Sequence, residues 1–348
     1  MARIAFILLC HKDPDAIVAQ ARQLTAAGDY IAIHFDASAA VSDYKIIQEA
    51  LADNDKVVFA GKRVKCGWGE WSLVQATLNT VASAASAFPR ATHFYMVSGD
   101  CMPIKSARFA HAMLDAKDVD YIESHDFFDS NWIKTGFREE RLVYRHYFNE
   151  RTQKWRFYTS LALQQRMNIK RKVPEDIRVM IGSQWWCLRR QTIEAILDFA
   201  ASRRDVMRFF QTTWIPDETF FQTLVRHLVP AREIENRTLT FLMFSDYGMP
   251  ITFYNDHYDL LLSQDGLFAR KISPMAQQLR DDLGALYASD RTDFTVTGEG
   301  QRLFDFLTKR GRIGRQRHVE RADTVGVLQR KVGMLRKGLH MLQHLRVQ

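Results

Sequence analysis

The feature that most constrains this chain is the alternation of short apolar runs with amphipathic stretches over its first third. Arg3–Cys10 is continuously apolar and bounded by polar turn residues, as a strand covered on both faces must be. Asp15–Ala27 then carries Ile17, Val18, Ala21 and Leu24 at helical spacing, and Gly28 follows as a helix-closing glycine. The same reading gives a strand at Tyr30–Phe35, a helix at Tyr44–Ala52, a strand at Lys56–Phe59 and an Ala-rich helix at Glu70–Ala87. A strand at Thr92–Val97, a helix from Ser106 to Ala116 and a strand at Asp120–Ile122 complete it. Repeating strand–helix units predict a mostly parallel, twisted sheet flanked by helices. In such a sheet, ligands bind beyond the carboxyl ends of the strands, which directs attention to His11, to His34–Asp36 and to Ser98–Pro103.

From Glu123 to Lys172 the periodicity fades and aromatic and basic residues crowd together, among them Trp132, Arg138, Arg141, Tyr144 and Trp155. Too few aliphatic residues are present for a separate core, so the segment reads as an insertion lining a cleft. Further on, Gly182–Leu188 and the stretches Thr238–Phe244 and Pro250–Tyr254 read as strands. Gln191–Ala201 and Asp217–Leu228 read as helices.

Charge divides the chain. Of the net +8, residues 302–348 hold +9, with twelve Lys/Arg against Asp305, Glu320 and Asp323, so the rest is close to neutral. Apolar residues at 325, 328, 332, 335, 339 and 342 give this end the pattern of a basic amphipathic helix interrupted by glycines. The domain division expected is 1–290 for the body and 291–348 for a basic extension. Localised basicity without a nucleic-acid-binding signature argues against a nucleic-acid partner. A solvated extension and a contact with anionic lipid both fit it. No apolar run approaches the roughly 20 residues that cross a membrane, and Ile4–Cys10 is too short for a secretory core. The expectation is a cytoplasmic protein, peripheral at the inner face of the membrane if the extension binds lipid. Cys10, Cys66, Cys101 and Cys187 form no metal or disulfide pattern and read as buried small hydrophobes.

No phosphate-binding glycine loop, nucleophile elbow or zinc motif is present. Pro216-Asp217-Glu218 starts a helix between Trp214 and Phe220-Phe221. Its two acids serve either as ordinary helix-start carboxylates or, in Glu218, as a general base whose pKa the aromatics raise. Arg270-Lys271 follows an apolar pair and reads as a surface cation pair or as a grip on a diphosphate. Asp13-Pro14-Asp15 and Asp53-Asn54-Asp55 are poorly placed to hold a metal, and Ser98-Gly99-Asp100-Cys101 lacks a second carboxylate.

Seven segments in order, RIAFILLCHKDP (3–14), IAIHFD (31–36), Trp68-Gly69 with Ser72-Leu73, VSGDCMPIK (97–105), GSQW (182–185), PDETFF (216–221) and FARK (268–271), resemble the core-2/I-branching glycosyltransferase family, family 14. That family includes β-1,6-N-acetylglucosaminyltransferases and peptide O-xylosyltransferases, and the likeness spans roughly residues 3–275. It implies a GT-A-type α/β fold and an inverting transfer from a UDP-sugar to a glycan or glycolipid hydroxyl, with no metal and no other cofactor. Glu218 falls on the family's base and Arg270 and Lys271 on its diphosphate-binding residues. His34, Asp36, Ser98, Gly99, Asp100 and Trp185 fall around the donor. The acceptor is expected against the 123–172 insertion, with Trp132, Arg138, Tyr144 and Asp217 as candidates. Two departures bear on the donor. Asp100 stands one place early, with Cys101 at the usual Asp position, and Gln184 replaces the Asp of the xylosyltransferase-like pattern, which argues against xylose; N-acetylglucosamine is the donor sugar expected. The alternatives are another UDP-sugar transferase of the family and an inactive glycan- or nucleotide-binding scaffold.

Overall fold

The computed structural model describes residues 1–134, 136–245 and 249–297. They fall in two units. The first comprises Met1–Leu242 and Thr252–Val296. The second comprises Met243–Ile251 with Thr297–Gln348, and in it Phe244 and Pro250 form an isolated antiparallel bridge.

The first unit opens as the apolar pattern predicts. Strand β1 (Ile4–Cys10) leads into helix α1 (Pro14–Ala26), β2 (Tyr30–Phe35), α2 (Val41–Ala50), β3 (Val57–Phe59), α3 (Trp71–Ala87) and β4 (His93–Ser98). Next come β5 (Met102–Pro103), α4 (Ala107–Ala116), β6 (Asp120–Tyr121) and β7 (His125–Asp126). The insertion contributes α5 (Glu140–Val143) and α6 (Lys154–Arg166). Then follow β8 (Met180–Ile181), β9 (Cys187–Arg189), α7 (Arg190–Ser202), α8 (Arg204–Gln211) and α9 (Phe220–Leu228). The unit ends with β10 (Ile234–Glu235), β11 (Thr240–Leu242), α10 (Tyr258–Leu262), β12 (Phe268–Arg270) and α11 (Gln277–Ala288).

Seven strands form the central sheet in the order β10-β6-β9-β4-β1-β2-β3. All its pairs are parallel except those that β9 makes with β4 and β6. From Ile4 to Leu8 the β1 side chains are 0% exposed, because helices cover the sheet and no polar face is required. The chain runs outward from β1 through β2 to β3 and returns through α3 to β4 on the other side of β1. The β1/β4 boundary is therefore the point where strand order reverses. Gly28, at φ 89°, ends α1 as a glycine can without Cβ strain.

Three expectations are corrected. Gly182–Leu188 is not one strand: β8 and β9 flank a non-strand segment, because a Cβ on Gly182 would lie 1.9 Å from the Glu123 carbonyl oxygen and the chain turns at that close approach. Asp217–Leu228 is not one helix: Pro216–Glu218 is a single 3₁₀ turn, and α9 begins only at Phe220. Pro250–Tyr254 forms no strand and contributes two isolated bridges, one of them with Phe244 of the preceding stretch, in which only Thr240–Leu242 is a strand. The 123–172 insertion packs on the body through aromatic rings: Phe137, His146 and Phe157 gather around Trp214 at centroid distances of 5.5–6.2 Å. The amphipathic pattern at 325–345 lies outside the described residues.

Candidate active site

Ile215 takes the left-handed conformation (φ 55°), costly for a β-branched residue, and donates its amide to the Gly69 carbonyl at 2.9 Å. That turn lets Pro216 start the 3₁₀ element on which Asp217 and Glu218 sit. The Glu218 carbonyl accepts from the Gly182 amide at 2.9 Å, and its Oε2 accepts from Arg141 Nη1 at 3.1 Å. Burial pushes the Glu218 carboxyl above the ordinary range, and Arg141 pulls part of the way back. Asp217 is pushed up to about 7 by burial and by the charge of Glu218, and its Oδ1 is buried without a hydrogen-bond partner. Arg141 is itself buried. Its Nε donates to the Phe137 carbonyl at 3.0 Å, and its guanidinium stands 5.3 Å from the Trp214 ring centroid.

The segment Gly182–Trp185 links this carboxylate to the cations. Gly182 bonds to Glu218 at one end, Gln222 Nε2 holds the Ser183 carbonyl at 2.7 Å, and at the other end Trp185 lies under the Arg270 guanidinium at 4.2 Å. Arg270 Nε is buried and has no hydrogen-bond partner among the described residues. Lys271 Nζ lies 3.8 Å from Asp100 Oδ2, and the Asp100 carbonyl accepts from Ile272 at 2.9 Å. Glu218, Trp185, Arg270, Lys271 and Asp100 thus belong to one connected arrangement.

The Ser98–Cys101 turn is held from α1. Gln20 Nε2 donates to the Ser98 and Cys101 carbonyls at 3.1 and 2.7 Å, and Gly99 passes so close that a Cβ would meet Ile17 Cδ1 at 2.9 Å. Cys101 is fully buried, and burial pushes its thiol up, so it supplies no negative charge in place of the family's Asp. A cavity of about 50 Å³ opens here at the carboxyl ends of β1 and β4, between Lys12, Asp100 and Arg280. Arg280, which lines it, is 7% exposed.

His34 and Asp36 are fixed by backbone. His34 is buried and its Nε2 accepts from the Val64 amide at 2.8 Å, which keeps it neutral; burial lowers its pKa further. Burial would raise the Asp36 carboxyl, but bonds from Ser38 and Cys66 outweigh it and hold the group below the carboxylate range. Both residues shape the Arg63–Cys66 loop beside β2.

The acceptor candidates separate. Asp217 adjoins Glu218. Trp132 stacks on His125 at 5.6 Å, Arg138 is exposed and bonds to the Ser130 carbonyl, and Tyr144 is buried at the end of α5. Nothing described brings these three to Glu218. Arg141 does reach the carboxylate, and no local signal in Glu139–Arg145 distinguishes it from Arg138 or Arg145. Among the described residues no three His, Cys, Asp or Glu side chains cluster as metal ligands. Asp13 instead caps α1, and Asp53 pairs with Arg22.

The family described as Core-2/I-Branching enzyme matches residues 4–259, and a family of unknown function (DUF5928) matches residues 270–341. Curated relatives include a sheep (Ovis aries) β-1,3-galactosyl-O-glycosyl-glycoprotein β-1,6-N-acetylglucosaminyltransferase 3, 23% identical over 226 residues. A bovine herpesvirus 4 β-1,3-galactosyl-O-glycosyl-glycoprotein β-1,6-N-acetylglucosaminyltransferase is 20% identical over 224. Each alignment covers 64% of this chain and 47% of the relative, so the chain spans about half the length of the curated relatives it matches.

Proposed function

The chain belongs to the Core-2/I-branching enzyme family and is an enzyme of the glycosyltransferase class, and on that premise we propose that it adopts a GT-A-type fold and transfers N-acetylglucosamine, β-linked and with inversion, from a UDP-sugar to a hydroxyl of a glycan or glycolipid acceptor. The observation that carries this reading is the connection of Glu218 through Gly182–Trp185 to Arg270. A base for the acceptor and a cation for the leaving group stand at the two ends of one short segment.

In the proposed step the acceptor oxygen attacks the anomeric carbon from the face opposite the diphosphate. Its proton passes to Glu218 as the new carbon–oxygen bond forms. The bond from the anomeric carbon to the diphosphate breaks with its electron pair, and UDP leaves. Arg270 and Lys271 balance the charge that collects there, and such preorganised groups contribute about 3 kcal/mol each. No metal is required in this account, and His34, Asp36, Ser98, Gly99 and Trp185 frame the donor. The unpartnered Arg270 Nε is suited to donate a hydrogen bond to a phosphate oxygen.

Glu218→Gln keeps the size of the side chain and removes the base. It should bind UDP as the wild type does and lose turnover at least about 100-fold; equal turnover would overturn the assignment. Activity should also survive EDTA in full, and strict Mn²⁺ dependence would reverse the metal-free account. Comparing UDP-N-acetylglucosamine with UDP-xylose in the same assay decides the donor. Hydrolysis of neither would favour an inactive scaffold.

A further inference from the structure

Trp214, which packs beneath the Arg141 guanidinium, also forms part of the wall of a cleft of about 260 Å³. The other walls come from Trp68–Ser72, from His146–Glu150 in the insertion and from Gln211–Thr213. Hydrogen bonds join these walls to the catalytic turn. The Gly69 carbonyl accepts from Ile215, next to Pro216, and Asn149 Nδ2 donates to the Trp68 carbonyl at 3.2 Å.

The wall chemistry narrows what the cleft can take. Trp68 is 42% exposed and sits edge-on to Trp214 at 6.2 Å, with Arg151 3.9 Å from its ring centroid. Two carboxylates, Glu70 and Glu150, share the walls with flat aromatic surface and with the Asn149 amide, and the walls include no Lys or Arg. Glu150 Oε1 accepts from Tyr158 and Glu70 Oε2 from Ser72, so each keeps a second oxygen for a ligand. His146 adds no positive charge, because burial lowers its pKa to about 4 and its Nε2 meets the Glu140 carbonyl. With Arg151 against Trp68 offsetting one of the two carboxylates, the cleft offers no cationic grip for a nucleoside diphosphate. Its volume lies near the lower end of small-molecule sites, where aromatic surface and a few polar groups fix the ligand. Ring faces pack on the C–H faces of a pyranose, and carboxylates accept its hydroxyl protons.

We propose that this cleft binds a neutral sugar residue of the acceptor, with Trp68 as its platform and Glu70 and Glu150 accepting its hydroxyl hydrogen bonds. The proposal rests on the reading of the protein as a glycan-modifying transferase and moves the acceptor away from Trp132, Arg138 and Tyr144.

The test is retention of the full-length chain, without donor, on a panel of immobilised neutral oligosaccharides that includes β-1,3-galactosyl disaccharides. The wild type should be retained by at least one of them. Trp68→Ala should weaken that binding by about tenfold or more, and Glu150→Gln, which preserves shape, should weaken it in the same direction. If the wild type binds no neutral glycan, or if both variants bind as it does, the proposal is overturned. Thermal melting shows whether Trp68→Ala is folded, and if it is not, Glu150→Gln decides alone. UDP titration of the wild type separates the two readings. Glycan retention that depends on Trp68 or Glu150 without any UDP binding leaves the cleft standing and removes the transferase reading.

Discussion

At the scale of single residues, the ion pair between Arg141 and Glu218 sets the terms of the proposed chemistry, in which Glu218 is the general base. A general base must be ionised to act, so turnover should rise with pH through the raised pKa of Glu218. Arg141 opposes the effect of burial by favouring the charged carboxylate. Arg141→Gln should therefore raise the Glu218 pKa further and move the acid limb of the kcat profile to higher pH. The loss of activity should be greater at the acid end than at the alkaline end. A uniform loss across the profile would mean that Arg141 only supports the fold. Asp217, pushed up to about 7 by burial and by the charge of Glu218, does not compete for the same role: its Oδ1 is enclosed and unpartnered, whereas Glu218 retains partial exposure and a cationic neighbour.

At the scale of elements, what the sequence revealed and what it hid have separate physical causes. The strands and helices from β1 to α4, apart from the two-residue β5, were legible because their patterns are long and β1, β2 and β4 are buried, so apolar runs and helical periodicity had nothing competing with them. Pro216–Glu218 was visible as a motif. That it forms a separate turn depends on Ile215 being held left-handed by Gly69, a contact between residues 146 positions apart. Arg141 was hidden for the same reason: its partner lies 77 positions away. The break within Gly182–Leu188 is tertiary as well, set by the approach of Gly182 to Glu123. Gly182→Ala should consequently destabilise the protein by about 3 kcal/mol and reduce turnover with it, since the displaced segment carries both the Glu218 bond and Trp185. A fully active and equally stable variant would show that the close approach is dispensable.

At the scale of the whole chain, charge and chemistry are divided. The candidate site is built within residues 1–296, whereas residues 302–348 hold more than the entire net positive charge. Among the described residues no helix is long and apolar enough to cross a membrane. Peripheral attachment of the basic stretch to anionic lipid, at about 1 kcal/mol for each cation near the surface, is a proposal that sedimentation tests. On that reading, the full chain should sediment with phosphatidylserine vesicles at low salt, less so at high salt, and a 1–300 truncation should stay in the supernatant. Equal pelleting of the two would remove the membrane role.

The guanidinium that pairs with Glu218 rides on α5, a four-residue helix of the insertion. An exchange of that insertion between relatives would alter the His146–Glu150 wall of the proposed acceptor cleft and the basicity of Glu218 in one event. Substrate preference and working pH would then be inherited as a linked trait, and engineering one without the other would require separating Arg141 from the segment around it.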